Sequence, residues 1–258
     1  MPTVEENLQS WSHYDWSQKG DEWSYRWGGT EYVWWGTVFP RVQAFLPTKS
    51  ILELGPGFGR CTQYLKDFCE ELIVVDLVER CIEACKERFS RISHIKYFCN
   101  DGRSLKMVPS GSIDLIFSWD SLVHCESDVI QAYVAEFARV LKPEGAGFVH
   151  HSNMAYYQSR EDGKEFIKEN NVHWRAVSMS GELFEKFCRK SGLQCVSQEL
   201  IGWGGEILND CFSLFVKENS ILARPNEIRI DEQFMNEVDH LAELAKLYSP
   251  ARFAKQRP

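Results

Sequence analysis

A glycine-rich turn follows an apolar run at residues 50–60, which read SILELGPGFGR. Its alternating glycines are Gly55, Gly57 and Gly59. Such a strand-to-helix turn lets backbone amides approach a ligand with no Cβ in the way. Arg60 stands where the dinucleotide fingerprint GxGxxG needs its third glycine, and the absence of GK[ST] excludes a P-loop. With Glu53 two residues before the first glycine, the pattern predicts a ligand site, and a plain tight turn is the alternative.

Acidic residues end the next two predicted strands. The run LIVVD ends at Asp76, 21 residues after Gly55, where a carboxylate can accept hydrogen bonds from both hydroxyls of a ribose. The third run ends in CNDG, which places Asp101 where it could accept from an adenine amine. The structural alternatives are a helix cap for Asp76 and a turn before Gly102 for Asp101. Because parallel strands end at one sheet edge, we expect these groups to line one site.

Short β-branched runs alternate with amphipathic stretches from residue 48 to about residue 217, which is typical of an α/β fold with a parallel sheet covered on both faces. The predicted strands are 50–54, 72–77, 94–99, 112–118, 146–151, 194–201 and 210–217. The predicted helices are 58–67, 79–90, 127–141 and 180–191. Only about eight residues join the last two strands, so we expect that pair to be antiparallel.

Two segments flank the central domain, which we assign to residues 48–218. Residues 1–47 hold six of the nine tryptophans, show no sustained period before about Tyr32, and predict an aromatic-rich cap or lid. Residues 219–258 predict a polar linker and one amphipathic helix. The apolar stripe of that helix is Phe234, Val238, Leu241 and Ala245. This stripe could dock on its own chain or form the seam of a homodimer.

Composition limits the partners. Lys and Arg total 29 against 37 Asp and Glu, a net charge of −8, which repels polyanions, so we expect no nucleic acid. No apolar run approaches the ~20 residues that span a bilayer, so we expect no transmembrane segment. The nine cysteines form no CxxC pair and no signal-like segment precedes them. We therefore expect reduced thiols in a cytoplasmic protein.

In their order along the chain, these motifs resemble those of the class I S-adenosylmethionine-dependent methyltransferases. The resemblance covers about residues 48–217 and rests on ILELGPGFGR, LIVVD, CNDG, IDLIFSWDSLVH and LKPEGAGFVHH. It implies a Rossmann-like sheet of seven mostly parallel strands in the order 3-2-1-4-5-7-6, with strand 7 antiparallel. It also implies S-adenosyl-L-methionine as cofactor, with S-adenosyl-L-homocysteine as product.

The resemblance assigns roles to the motif residues. The implied cofactor-binding residues are Glu53, Gly55, Gly57, Gly59, Asp76, Asp101, Gly102 and Trp119. The glycines would approach the methionine portion, which Glu53 would help to orient from behind the loop. Asp76 would bind the ribose and Asp101 the adenine. Trp119 and Asp120 would flank the sulfonium.

The fourth strand is followed by SWDSLVH, where enzymes that methylate nucleobase amines carry [DNS]PP[FYW], and a paired-glutamate loop of the protein-arginine type is also missing. WGGTEYVWWGTVFPRVQAFLP, HHSN, HWRAVSMS and DCFSLF resemble stretches of bacterial sugar or small-molecule O-methyltransferases. This resemblance implies methyl transfer to a hydroxyl of a sugar or glycan precursor in polysaccharide biosynthesis. The alternatives are a small carboxylate or amine acceptor, and a non-catalytic scaffold that binds the cofactor.

A sugar hydroxyl is too weak an acid to attack as an alkoxide at pH 7, so this reaction needs a positioned base. His124, His150 and His151 lie after the fourth and fifth predicted strands, although each could also be a core histidine. Successive strand residues point to opposite faces, and we prefer His151 over His150 because it is nearer the open end. Asp120 could orient the base or bind a hydroxyl. The candidate catalytic residues are therefore His124, His151 and Asp120.

A long excursion joins the fifth strand to the helix at residue 180, and such excursions are usually lids or substrate walls. The candidate acceptor contacts are His150, Asn153, Arg175, Trp27 and Tyr32. Arg175 could bind an anionic group of the acceptor or form a surface ion pair. A divalent-cation site of Asp120, Glu206 and Asp210 is an alternative that no local ligand spacing supports, so we expect no metal.

Overall fold

A computed structural model describes residues 2–249. The strands there are β1 Thr48–Leu54, β2 Cys69–Asp76, β3 Ile95–Cys99, β4 Ile113–Ser118, β5 Leu141–Ser152, β6 Leu193–Ile201, β7 Asp210–Lys217 and β8 Glu227–Asp231. The α-helices are α1 Val4–His13, α2 Thr30–Tyr32, α3 Phe39–Val42, α4 Thr62–Leu65, α5 Glu79–Arg88, α6 Ser127–Val140, α7 Gly163–Asn170, α8 Gly181–Lys190 and α9 Phe234–Leu247. Residues 250–258 of the predicted C-terminal segment lie outside the described residues.

One mixed sheet organises the chain in the strand order β3-β2-β1-β4-β5-β7-β6-β8. The first seven strands follow the predicted order, and β7 pairs antiparallel with both β5 and β6, as predicted. The β1, β2 and β4 strands run parallel and end at Leu54, Asp76 and Ser118. Their carboxyl ends therefore open at one sheet edge, where ligands bind in folds of this kind.

The prediction of seven strands is wrong by one, because β8 adds an edge strand parallel to β6. We assigned this segment to a polar linker. Its apolar residues Ile228 and Ile230 are more than half exposed, so β8 buries neither face and carries little of the hydrophobic signal on which strand prediction rests.

Successive residues of β1 enter different cores. Ile51 packs with Val74 and the N-terminal segment on one face, whereas Leu52 packs with Ile73 and helix α6 on the other. This alternation follows from the two-residue period of a strand. Both faces are therefore covered, and the predicted α/β fold is confirmed.

The N-terminal segment contains a helix that the sequence analysis missed. Helix α1 begins with a capping box, in which Thr3 Oγ1 accepts from Glu6 N and the Thr3 N–H donates to the Glu6 carboxylate. This signal was readable in the sequence. The predicted helix at 58–67 is in turn reduced to the short α4, since the glycine turn occupies its start.

Helix α9 docks on the N-terminal segment through the predicted stripe. Phe234 and Val238 are fully buried, and the Leu241 side chain fills the space beside Gly36. Arg41 of α3 fixes this arrangement. Its guanidinium donates to Glu199 of β6 at 2.8 and 3.0 Å and to Glu237 of α9 at 3.3 Å.

Replacing Arg41 should destabilise the fold. R41A removes the hydrogen-bonded cation of the largely buried Glu199 carboxylate and leaves only the exposed Arg229 at 3.8 Å, and removing one partner of a buried pair costs about 3 kcal/mol of the free energy of unfolding. Arg189 is a matched control, because its pair with Glu185 is exposed and R189A should cost roughly 0.3–0.5 kcal/mol. Urea unfolding measures both. Equal losses in the two variants would contradict the stabilising role of Arg41.

Candidate active site

The three glycines after β1, at positions 55, 57 and 59, have φ angles of 72°, 55° and 84°. A Cβ on Gly55 would lie 1.9 Å from the Ser121 hydroxyl, and one on Gly57 would lie 2.9 Å from the Trp16 ring. A Cβ on Gly59 would instead lie 2.5 Å from the Phe89 ring at the end of α5. Gly59 thus serves helix packing and does not face the ligand space, contrary to the prediction.

The glycine turn borders a cavity of about 70 Å³, here named the inner cavity. The predicted cofactor residues that line it are Glu53, Gly55, Gly57, Asp76 and Trp119. The predicted catalytic residues Asp120 and His124 line it as well. Residues from β1, the glycine turn, the end of β2 and the loop after β4 therefore meet at the inner cavity.

Glu53 is buried beside the inner cavity, and one of its carboxyl oxygens is free. The Thr62 hydroxyl donates to Oε2 at 2.6 Å, whereas Oε1 has no hydrogen-bond partner within residues 2–249. Burial raises the pKa of Glu53 to about 8, against the hydrogen bond from Thr62, which lowers it. The carboxyl therefore keeps its proton at neutral pH unless a cation comes close.

Asp76 borders both the inner cavity and a second cavity of about 70 Å³, here named the side cavity. Its Oδ1 accepts from Val78 N at 2.9 Å and its Oδ2 from Gly57 N at 3.2 Å. Burial raises the pKa of Asp76 to about 6, although these backbone N–H groups lower it. The carboxylate shapes the turn before α5 and also faces the ligand space.

The side cavity has largely apolar walls, which include Leu77, Gly102, Leu122 and Tyr133. Asp101, the predicted adenine contact, does not line it. Its exposed carboxylate accepts from the backbone N–H groups of the next residues, at 2.9 and 2.7 Å. Asp101 thus has the turn role that was its alternative, while Gly102 lies at the cavity.

S-adenosylmethionine fits these residues. The free Oε1 of Glu53 can accept from an ammonium group, and Gly55 and Gly57 line the inner cavity, where an aminoacyl arm would lie. The apolar side cavity suits a purine. Asp76 stands where the two cavities meet, as a ribose contact must. The cofactor that the sequence predicts is therefore compatible with the donors and walls of this site.

Cofactor binding should release a proton from Glu53. At pH 7 the free carboxyl is mostly protonated, and the ammonium of the aminoacyl arm favours its ionised form. Calorimetry with S-adenosylhomocysteine in phosphate and in Tris should give different apparent enthalpies, corresponding to release of about half to one proton. The E53Q variant should lose this difference. Identical wild-type enthalpies in the two buffers would contradict the assignment.

Asp120 follows β4 in a left-handed conformation, with φ at 54°. Its Oδ2 accepts from Arg60 Nη2 at 2.9 Å, and its Oδ1 lies 3.7 Å from Arg175 Nη2. Burial would raise the pKa of Asp120, but the two guanidinium groups outweigh it and hold that pKa below the usual range. Asp120 is therefore a paired carboxylate and is unavailable as a proton acceptor.

His150 positions Asp120 by accepting a hydrogen bond from its backbone N–H. Its Nδ1 accepts from the Asp120 N–H at 3.2 Å, so its Nε2–H donates to Asp210 at 3.0 Å. Arg175 donates to the same Asp210 through Nε and Nη2, at 3.0 and 2.8 Å. Burial opposes ionisation of Asp210, yet Arg175 and His150 lower its pKa to about 2. His150 is fully buried and lines none of the cavities, but it contacts two residues that do, Asp120 and Trp203.

His124 lines both the inner cavity and a neighbouring larger cavity. Its Nδ1–H donates to the Trp174 carbonyl at 2.9 Å, which leaves Nε2 as an acceptor without a partner in residues 2–249. Burial, followed by the charge of Arg175, lowers the pKa of His124 to about 4. The ring is therefore neutral at physiological pH and offers a lone pair at the site.

Three predicted site residues lie elsewhere. His151 is fully buried in the core, where Nδ1 donates to Ser152 O and Nε2 contacts Ser213 Oγ, and its ring stacks on Phe184. His151 lines none of the three cavities, so this position does not support its choice as the base. Asn153 joins Leu208 O to Gly181 N and lines no cavity. Tyr32 packs against the hydrophobic core. Both are structural, contrary to the prediction.

A larger cavity of about 310 Å³, here named the outer cavity, adjoins the inner one. Trp11, Trp23, Asp120 and His124 line both. The predicted acceptor residues Trp27 and Arg175 line only the outer cavity, as do Arg26, His173, Trp203 and Met235. No sequence motif singles out Trp11, Trp23 or Trp203, because only the fold brings the three indoles to one cavity.

Helix α1 positions His124. Asn7 Nδ2 donates to the His124 carbonyl at 2.9 Å, and Asn7 Oδ1 accepts from Trp11 Nε1 at 3.1 Å. The Trp11 and Trp174 rings lie 5.1 and 5.4 Å from the imidazole centre. Trp11 also lines all three cavities. The N-terminal segment thus contributes Trp11 to the walls of the site.

Removing the Trp11 ring should raise the pKa of His124. W11A admits water to one face of the imidazole, so the pKa should move from about 4 toward 6.5. NMR titration of the histidine Cε1–H signals measures this shift. W35A is the control, since the half-exposed Trp35 lines none of the three cavities and its loss should leave the His124 titration unchanged. An unaltered pKa in W11A would refute the shielding role.

The described residues include no cluster of three or more His, Cys, Asp or Glu side chains suited to a metal ion. Asp120 and Asp210, two members of the alternative metal site, are paired with arginines. No helix between residues 2 and 249 is both long enough and apolar enough to cross a membrane.

Comparison with known proteins agrees with this geometry. Residues 51–145 match a family described as "Methyltransferase domain". "Phosphoethanolamine N-methyltransferase 1" of Arabidopsis thaliana is 27% identical over 151 residues, which cover 57% of this chain and 30% of that protein. The Triticum aestivum protein of the same name is 27% identical over 183 residues, or 69% of this chain and 35% of that protein. The chain thus spans about a third of the length of these relatives.

A similar fold occurs in the PH0226 protein of Pyrococcus horikoshii OT3. Its structure superposes with a TM-score of 0.54 at 21% identity and covers 70% of this chain and 88% of that one.

Proposed function

The chain belongs to the class I S-adenosylmethionine-dependent methyltransferases, and from this premise we propose that it transfers a methyl group to the nitrogen of a small amine. S-adenosylmethionine, when bound, supplies an electrophilic methyl group on a positively charged sulfur. Glu53, Gly55, Gly57 and Asp76 would hold it in the inner and side cavities. The acceptor would then enter from the outer cavity, where Asp120 and His124 line the junction.

The unpartnered Nε2 of His124, at the junction of the inner and outer cavities, carries this proposal. With a pKa of about 4, its Nε2 is a poor base for a sugar hydroxyl, because general-base catalysis works best when the pKa of the base is near the operating pH. A neutral amine is already nucleophilic and needs only an acceptor for its N–H bond. By accepting from the amine N–H, His124 Nε2 would hold the amine lone pair toward the methyl group.

The walls of the outer cavity support an amine. Trp11, Trp23, Trp27 and Trp203 line it, and indole faces attract alkylammonium groups such as the methylated product. The relatives named for phosphoethanolamine act, by their names, on an amine. Because the chain covers only about a third of those proteins, their substrate enters here as support for an acceptor class.

Methylation of a sugar or glycan hydroxyl, which the sequence predicts, is the second candidate. The same indoles can stack on the apolar face of a sugar ring, and His124 would then act as the general base. The third candidate is a scaffold that binds the cofactor without turnover. It would bind no methyl-accepting substrate beside His124. The atom that is methylated separates these functions.

The test incubates the protein with methyl-labelled S-adenosylmethionine and, in parallel, ethanolamine, phosphoethanolamine, glycine and glucose 1-phosphate. We expect label on nitrogen, identified by NMR of the product. Label only on oxygen would favour the hydroxyl acceptor. Cofactor binding without any labelled product would favour the scaffold.

His124 is the residue whose loss tests the mechanism. H124N removes the Nε2 acceptor that orients the amine and should lower kcat about 10²-fold, while the affinity for S-adenosylhomocysteine should change less than about threefold, since Glu53 and Asp76 are unaltered. H151N is the matched control for a buried histidine outside the cavities, compared after its folding is verified by circular dichroism. An unchanged kcat in H124N would contradict the proposal.

A further inference from the structure

Arg175 presents unused hydrogen-bond donors to the outer cavity. Its side chain is 5% exposed, and Nε and Nη2 are engaged by Asp210. Nη1 has no partner within residues 2–249, although the guanidinium lines the cavity. Nη1 opens to the cavity and is not enclosed by protein, so its N–H groups are free to donate to a bound molecule. The free Nη1 therefore points to a ligand that accepts hydrogen bonds.

The position of Arg175 relative to the junction limits what this ligand can be. Asp120 and His124 line both the inner and outer cavities, whereas Arg175 and Arg26 line only the outer one. An acceptor whose nucleophile reaches the junction therefore extends its other end toward the two arginines. A cavity of about 310 Å³ holds a molecule of the size of a short amino acid or a phosphorylated amino alcohol.

Charge favours an anion at this end. The acid on the cavity wall, Asp120, is already paired with Arg60 at 2.9 Å, and Asp210 is wholly buried behind Arg175. Arg26 contributes a second guanidinium, whose exposed pair with Asp239 at 3.2 Å is weak and easily exchanged. Planar guanidinium groups match the oxygens of carboxylates and phosphates.

We propose that the acceptor amine carries an anionic group, a phosphate or a carboxylate, which binds Arg175 through Nη1 and is joined by Arg26 at the cavity entrance. This inference rests on the proposed function for the amine end of the acceptor. The two ends then have separate surroundings, with indoles and His124 around the nitrogen and guanidinium groups around the anion. The positive charges also favour the neutral, nucleophilic form of the amine.

The binding test does not require turnover. Inorganic phosphate and acetate are titrated by calorimetry into the protein saturated with S-adenosylhomocysteine. R175K keeps a cation beside Asp210 but loses the planar fork, so it should weaken binding of the preferred anion at least tenfold. R26Q should weaken it about threefold to tenfold. The control R189Q alters an exposed arginine on α8 and should change nothing. Anion binding that is absent, or unaffected by R175K, would overturn the proposal.

Matched acceptors identify the anion. Wild-type kcat/KM should be at least tenfold higher for phosphoethanolamine than for ethanolamine if the group is a phosphate, and for glycine than for glycinamide if it is a carboxylate. R175K should reduce this preference mainly through KM. Equal rates within both pairs would overturn the inference even if nitrogen is methylated. Oxygen-only methylation with Arg175-dependent anion binding would instead refute the amine and leave the anion subsite supported.

Discussion

The site depends on a buried chain of opposite charges at the carboxyl edge of the sheet. Arg60, Asp120, Arg175 and Asp210 alternate in sign, and His150 bridges the last to the backbone of Asp120. These groups come from the glycine turn, the loop after β4, the excursion after β5, and β7. Buried charges are tolerated only in such balanced sets. The network therefore helps to fix the relative positions of these loops, together with the backbone hydrogen bond from Ala176 N to Val123 O.

Two strained backbone positions in this network hydrogen-bond to histidines and so set their tautomers. Asp120 and Trp174 both adopt positive φ without being glycine. Each serves a histidine, since the Asp120 N–H donates to His150 and the Trp174 carbonyl accepts from His124. Strain of this kind persists only where surrounding contacts overdetermine it. The strained backbone at Asp120 and Trp174 thus holds His150 and His124 in defined tautomers.

Much of the fold was readable because its signals are local and periodic. The α/β alternation, the antiparallel β7 and the positions of Glu53, Gly55, Gly57 and Asp76 follow from runs whose hydrophobic pattern and terminal residues are continuous in sequence, whereas the strand order rests on the family resemblance. The failures have other causes. His151 and Asn153 lie near the carboxyl edge of the sheet. The two-residue period of the strand directs His151 into the core, and hydrogen bonds to the backbone occupy Asn153. Single-sequence reasoning cannot distinguish such neighbours by residue type.

The walls around the acceptor space come from appendages to the sheet. Trp11 and Trp27 belong to the N-terminal segment, Trp203 to the β6–β7 loop, and Met235 to α9. None of these side chains belongs to a strand. Exchanges at these positions can therefore redirect the chain to different small molecules while the nucleoside-binding edge is retained, so divergence within such a lineage should concentrate in the appendages.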